Sequence, residues 1–574
     1  MPKDRSSADA LCVSIGQFSS TGRKPSNQDF HGALIPRGSA LRLKGIAVAL
    51  ADGISTSPVS REAAETAVKS LLTDYYATPD AWSVRTAASS VISAANSWLH
   101  GQNISVADIN AGHVCTLTAL ILKGRDGHVF HVGDSRLDQF TGRALEPLTA
   151  SHRVVLSAEE SYLARALGAE SKVEIDYRQV PLREGDVFLL STDGVHEHID
   201  PVTVAQALTL GDLDTAARHI ADAALDRGSR DNLTVQIVRI DALPDAGVDL
   251  ALGDYRLPVP ALPKAGDELD GYRIIRAVQS TSRSHLYLAA APDGRKVALK
   301  IPAREMAEDA AYIRRFVLEE WIARRVSSPH VLAAAPATEG RSHLYAAMDW
   351  IEGTTLRQWM TDNPRASLDE MRGIVGQIVA GMRALHRRDM LHQDLRPENV
   401  MIDTEGTVKI IDLGSATVAG VEEAAAGTLG PMPGTFQYTA PEYLSGDTVS
   451  WRSDQYALGV IAYEMLTGRL PYGPQVARIR SRADQRRLVY RPARDNDTGV
   501  PDWIDCALRK AVHPDPLRRY DALSEFLADL RRPGTGWTGR RHVPLVERNP
   551  VRFWQGVSVV LAVLCLILAA QLTG

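Results

Sequence analysis

Over the first 240 residues, short apolar runs that stop at acidic turns alternate with long Ala-rich stretches. The run 45–50 leads into Asp52-Gly53 and the run 186–190 leads into Asp193-Gly194, while 233–240 alternates apolar with polar positions; each predicts a strand. Residues 61–76 and 82–100 are rich in Ala and free of Pro, which predicts two long helices. Buried strands ending in Asp-Gly turns and covered by helices suggest layered sheets with acidic residues gathered at one edge. Further along, the pattern changes. Residues 272–278, 286–290 and 296–301 are strand-like, whereas 310–326, 368–386, 453–467 and 503–512 are helical. A small β-rich lobe before a larger α-rich lobe is the expected order. Two connectors rich in Pro, Gly or Arg, 241–267 and 531–550, separate these regions from each other and from the last segment.

Composition narrows the picture. A chain of 574 residues is too long for one core, and 45% hydrophobic with 23% charged residues is ordinary for folded domains. A net charge of −5 argues against a general nucleic-acid binder. Cys12, Cys115, Cys506 and Cys565 form no CxxC pair, which suits a reducing cytosol, and residues 1–10 lack the apolar core of a secretory signal. Residues 553–574 hold no charge, and 557–570 is almost continuously Val, Leu, Ala and Ile. A helix of about 20 residues spans a ~30 Å hydrocarbon layer. Arg540, Arg541, Arg548 and Arg552 precede the segment and nothing basic follows, so a single-pass C-terminal anchor with everything upstream in the cytoplasm is expected. A buried core helix is the alternative.

A carboxylate on a tight turn at a strand end points into a shared pocket, and several together are costly without a divalent cation. Two such ions can clamp a phosphate and activate a water. One Asp-Gly pair means little, but the ordered set does. Asn27-Gln28-Asp29, Ala51-Asp52-Gly53, Val132-Gly133-Asp134-Ser135-Arg136, Arg165-Ala166-Leu167-Gly168, Ser191-Thr192-Asp193-Gly194 and Asp231-Asn232-Leu233-Thr234 occur in that order. This set resembles the PPM-type (protein phosphatase 2C-like) metal-dependent Ser/Thr phosphatases. The resemblance implies a β-sandwich flanked by helices and two core Mg²⁺ or Mn²⁺ ions, with a third in some bacterial members. It implies that Asp52 bridges both metals, that Gly53 offers its carbonyl, and that Asp193 and Asp231 hold the first. Asp29 would hold water on the second and Asp134 would reach the third. The family's phosphate-gripping Arg is missing. Lys24 stands at that spacing and Arg23 is one residue off, and Lys lacks the bidentate fork. Ser151 replaces an accessory Asp, and His152 is assigned a structural role.

Phosphoryl transfer needs a cation on the nucleotide phosphates, metal held by carboxylate and amide, and a carboxylate facing the acceptor hydroxyl. Asp394 and Asn399 in Leu391-His392-Gln393-Asp394-Leu395-Arg396-Pro397-Glu398-Asn399 supply base and metal ligand. Asp412 supplies a second metal contact, Lys300 faces the phosphates, and Glu319 pairs with Lys300. In this order the set resembles protein kinases, of the Ser/Thr rather than the Tyr kind. The resemblance places Met348 at the hinge against ATP, gives Arg396 the role of the usual catalytic-loop Lys, and pairs Arg519 with Glu442. It places residues 434–442 at the end of the activation segment. Gln279, Thr281 and Ser284 replace the three glycines of the phosphate loop, and Gln393 replaces an Arg that in relatives pairs with a phosphorylated activation loop.

The expectation is therefore a multidomain α+β chain: a PPM-type phosphatase over 1–240, a linker over 241–268, a bilobal protein kinase over 269–531, a juxtamembrane linker over 532–552 and a transmembrane helix over 553–573. It would use Mg-ATP in one half and Mg²⁺ or Mn²⁺ in the other on Ser/Thr and phospho-Ser/Thr proteins, itself included, and no nucleic acid. The alternative is a signalling scaffold in which one half, the kinase above all, only binds its ligand.

Overall fold

The computed structural model describes residues 10–155, 161–244, 257–336, 340–364, 366–423, 437–494 and 499–533, with 553–555, 557, 558 and 561. These form two compact units: Met1–Gly353 with Ala380–Asp394 and Asn399–Gly434, and Thr354–Val379 with Leu395–Glu398 and Thr435–Gly574.

The first unit opens with β1 (Cys12–Ser20), β2 (Phe30–Leu34), α1 (Ser39–Lys44), β3 (Ile46–Ala51), α2 (Ser60–Ala77), α3 (Val84–Asn103), β4 (Leu117–Lys123), β5 (Asp126–Val132), β6 (Arg136–Phe140) and β7 (Leu145–Pro147). A short hairpin of β8 (Arg153–Val155) and β9 (Ser161–Leu163) follows, then β10 (Asp176–Pro181), β11 (Val187–Ser191), α4 (Asp193–His196), α5 (Pro201–Ala207), α6 (Leu213–Asp226) and β12 (Leu233–Ala242). Two antiparallel five-stranded sheets result, ordered β1-β12-β11-β6-β7 and β10-β5-β4-β3-β2. Strand β3 shows why they stack. Ile46, Val48 and Leu50 point into the layer shared with Phe188, Leu190 and Val238 of the other sheet. Ala47, Ala49 and Ala51 point the opposite way, against Ala63, Ala67 and Leu71 of α2 and Val91 of α3. With α5 and α6 covering the outer face of β11 and β12, both faces of each sheet are buried, and the expected helix-flanked sandwich stands.

The same unit continues with β13 (Glu268–Leu269), β14 (Tyr272–Ser280), β15 (Ser284–Ala290), β16 (Lys296–Pro302), α7 (Ala310–Arg325) and β17 (Ala346–Asp349), the five strands pairing in chain order. The sequence pattern places β14, β15, β16 and α7 within about three residues, whereas β13 and β17 carried no expectation. The expected linker is not free throughout. Leu344 donates its N–H to the Pro258 carbonyl at 2.9 Å, and Val259 packs on the lobe's core.

The second unit is helical. Its helix Trp451–Thr467 buries residues on every side, and Arg519 forks onto Glu442 with bonds of 2.7 and 2.8 Å, both side chains fully buried. Among the described residues no helix is long and apolar enough to cross a membrane. The expected span 553–573 lies for the most part outside the described residues, as does the 424–436 stretch containing Gly434 and Thr435.

Candidate functional site

The acidic turns converge because strands of both sheets end at one rim. Asp52 follows β3, Asp193 opens α4 after β11, Asp231 precedes β12, and Asp29 precedes β2. Asp29 is buried; its Oδ2 accepts hydrogen bonds from the Thr234 hydroxyl at 2.6 Å and the Thr192 hydroxyl at 3.0 Å. Burial pushes the Asp29 carboxyl up to about 6 despite those bonds. Asp52 is driven well above the usual carboxylate range, by burial first and then by the charges of Asp29, Asp193, Asp134 and Asp231. Asp134 rises to about 6, by burial and by Asp193. Asp29 Oδ1 and Asp193 Oδ1 are buried with no hydrogen-bond partner among the described residues. Carboxylates that raise one another's pKa while leaving buried oxygens unpaired form a pocket short of positive charge. Among the described residues no three His, Cys, Asp or Glu side chains are already drawn around one point as an ion's ligand set.

The cations present are few. Lys24 Nζ donates to Ser55 Oγ at 2.5 Å and pairs with Asp231 Oδ1, whereas Arg23 turns to the Leu225 carbonyl at 3.4 Å. Of the two residues proposed from sequence, Lys24 is the one inside the pocket. Arg153, which carried no signal in the sequence, reaches Asp134 and Asp193 at 3.5 Å each and Glu197 at 3.1 Å. Gln28 is structural, donating to the Ser57 carbonyl at 2.9 Å and Ser60 Oγ at 2.8 Å. His152 accepts from the Gly133 N–H at 3.1 Å and meets Asp176 at 2.9 Å, which steadies the turn before Asp134. Gly53 must lack a side chain, since a Cβ would lie 2.6 Å from the Ser60 carbonyl oxygen.

In the other candidate site, β16 lies between β15 and β17 and carries Lys300 opposite Ala346. Lys300 Nζ donates to Glu319 Oε2 on α7 at 2.6 Å and lies 3.6 Å from Asp412 Oδ1. Burial alone would lower the ammonium's pKa, but Glu319 and Asp412 outweigh it and the pKa rises. The Lys300 charge in turn holds Asp412 below the usual range. Asp412 sits in the left-handed region, φ 58°, as does Gln393, φ 64°. Asn399 Nδ2 donates to the Asp394 carbonyl at 2.8 Å and to its Oδ2 at 3.0 Å, joining the proposed base and metal ligand. Met348 is buried on β17. Arg396 bonds Glu398 at 2.7 Å within the second unit. Where glycines were missed, Thr281 closes the β14–β15 turn: its hydroxyl donates to the Ser284 carbonyl at 2.9 Å and accepts from the N–H groups of Arg283 and Ser284.

Residues 19–227 match the family described as Protein phosphatase 2C, and residues 277–527 match the family described as Protein kinase domain. A PP2C-like phosphatase domain is thus followed along the chain by a protein kinase domain. It is similar to the serine/threonine-protein kinase PrkC of Bacillus subtilis, 29% identical over 270 residues that cover 46% of this chain and 41% of that protein. The chain thus spans about two fifths of the length of the curated relatives it matches. Among solved structures it is similar to the S. agalactiae serine/threonine phosphatase, with 24% identity and a TM-score of 0.35 over 40% of this chain and 100% of that one. It is similar also to the catalytic domain of the phosphatase PstP in complex with 2 manganese ions, with 22% identity and a TM-score of 0.34 over 40% and 100%.

Proposed function

We propose that the chain is a bifunctional enzyme that phosphorylates Ser/Thr of proteins with ATP and removes phosphate from phospho-Ser/Thr, held at a membrane by residues 553–573. One observation carries the reading: two charged sets stand on a single chain, the Lys300–Glu319 pair beside Asp412 and the carboxylates gathered around Asp52.

In the kinase half, Asp394 takes the proton of the acceptor hydroxyl, Lys300 holds the nucleotide phosphates, and Asn399 with Asp412 would hold the accompanying Mg²⁺. Met348 lines the adenine side, and Arg396 places positive charge beside the transferred phosphoryl. In the phosphatase half, the unpaired oxygens of Asp29 and Asp193 support a divalent metal site. Asp52, Gly53, Asp193, Asp231 and Asp29 would hold two Mg²⁺ or Mn²⁺ ions, with Asp134 toward a third. Bound there, the ions supply a water of lowered pKa and a clamp on the phosphate. Lys24 neutralises the phosphate at the mouth, while Thr192 and Thr234 keep Asp29 oriented. The uncharged terminal segment after four Arg residues supports the anchor, and a shared tether raises the effective concentration of each half for a common substrate.

A second reading, in which the kinase half binds nucleotide without transferring phosphate, draws on the Thr281 turn, whose side chains keep backbone N–H groups farther from a phosphate than glycine would. Incubation with radiolabelled ATP decides. Transfer to wild type, with more steady-state label on Asp193→Asn, is the expected result. No label on either protein supports the second reading, and equal label on both counts against self-erasure.

A further inference from the structure

Within the first compact unit, the turn between α2 and α3 grips three separated pieces of the kinase fold. Gly420 donates its N–H to the Ala81 carbonyl at 2.9 Å. Its missing side chain is required, because a Cβ there would sit 2.5 Å from the Asp80 oxygen and 2.6 Å from that of Trp82. Glu423 accepts from the Val84 N–H at 2.9 Å. Trp82 Nε1 donates to the Arg387 carbonyl at 2.8 Å, Ser83 reaches the Asp389 carboxylate with its N–H at 3.3 Å, and Arg325 at the end of α7 meets Asp80 at 3.4 Å. Beneath them lies Lys123, the last residue of β4. Its side chain is fully buried, with Nζ 2.6 Å from the Gly420 carbonyl and 3.2 Å from Glu423 Oε2. A lysine buried in the phosphatase sheet whose ammonium finds these partners in the kinase is a matched pair, since either charge alone in that place would be expensive.

The segment being held begins directly after Asp412. Residues Met390–Leu391, which lead into the Asp394 loop, pair with Thr417–Val418, and Ala419 donates to the Asp389 carbonyl at 3.0 Å. Glu422 meets Arg314 of α7 at 3.5 Å, on the helix that carries Glu319. At the position where related kinases place an Arg for a loop phosphate, Gln393 donates a neutral bond to Thr417 Oγ1 at 2.9 Å.

We infer that the phosphatase domain is an in-chain latch for the kinase: its Asp80–Val84 turn and Lys123 hold the segment after Asp412 and the strand before Asp394 in the transfer-competent arrangement, in place of a phosphate on the activation loop. This rests on the kinase reading above. Contact reaches the Asp394 loop through Thr417–Val418 and Met390–Leu391, so the latch acts on positioning of the base rather than on nucleotide binding.

The test uses the full chain with a protease site placed at 247–250. Cut wild type is expected to co-elute as one species on gel filtration and to keep its kinase turnover. Gly420→Leu and Lys123→Met approach the interface from opposite sides. Each is expected to separate the cut halves and to lower kcat for peptide phosphorylation about 10²-fold, the scale of a 1 Å misplacement, with KM for ATP unchanged. Hydrolysis of p-nitrophenyl phosphate with Mn²⁺ should stay at the wild-type rate, showing that the phosphatase half remains folded. Cut wild-type halves that separate yet keep kinase turnover overturn the latch, as do two variants with normal kcat. An intact wild type that transfers no phosphate, with halves that still co-elute, sinks the kinase reading and the latch together.

Discussion

The two candidate sites face the same chemical group with opposite electrostatic preparation. Around Asp52, carboxylates outnumber cations, raise each other's pKa and leave buried oxygens unpaired. Around Lys300, charges are already matched: Glu319 and Asp412 stabilise the ammonium, and it holds Asp412 ionised. On the proposed reading, hydrolysis needs ions brought in to make a nucleophile from water, which fits a pocket poor in positive charge. Transfer from ATP brings a nucleotide with its own ion, so this site can be prearranged. The difference predicts that metal affects folding stability of the first half and hardly that of the second.

The largest effect should come from Asp394→Asn. Losing the base is expected to lower phosphoryl transfer about 10³-fold, within the range for a positioned acid–base group, with p-nitrophenyl phosphate hydrolysis unchanged. Equal loss of both activities would erase the distinction between the two sites. Lys300→Met strands Glu319, whose side chain is only 3% exposed. Because Lys300 keeps partial exposure, the expected cost is about 3 kcal/mol, at the low end for breaking a buried pair, read as a shift of the kinase transition in urea.

The phosphatase pocket sharpens the contrast through pH. Protons compete with ions at Asp29 and Asp134, whose carboxyls sit at about 6, so Mn²⁺ affinity measured by calorimetry should fall as pH drops from 7 to 5. Without metal the sign reverses. A carboxyl raised above its unfolded value penalises the fold above its folded pKa, and the penalty fades as pH falls through about 6 toward the unfolded value of 3.8. Metal-free Asp52→Asn should therefore melt above wild type at pH 7.5, by about 2–4 °C for each kcal/mol recovered, and the gap should narrow at pH 5. A gap that widens on acidification would contradict the surplus of charge. The smallest effect is Lys24→Arg. Restoring a fork beside Asp231 should lower KM for a phosphopeptide about threefold with kcat unchanged.

Much of this was legible in the chain. Short-range patterns carried β3, β11 and β12 but not the other strands of the two sheets: β3 announces burial on both faces by being wholly apolar, and the helix Leu368–His386 ends where its periodicity does. Motif residues were legible because chemistry fixes both their type and their spacing, as with Asp394 and Asn399. What escaped were partners brought in from afar. Arg153 sits on a short hairpin with no periodic signal, yet folding delivers it among Asp134, Asp193 and Glu197. Thr192 and Thr234 stood inside quoted motifs, but their hydroxyls gain a role only when β11 and β12 pair and carry both to Asp29. Lys123 carries no signal in the sequence, and nothing local marks a lysine whose partner lies 300 positions away.

That separation has a direction in time. As the chain leaves the ribosome, the last strand of the first domain is finished at Ala242, 181 residues ahead of Glu423, which at about 5–20 residues per second gives that domain roughly 9–36 s to fold alone. On the proposed bifunctional reading, a newborn kinase would thus meet an already folded phosphatase as it is completed, with no interval in which it writes marks that nothing nearby can remove.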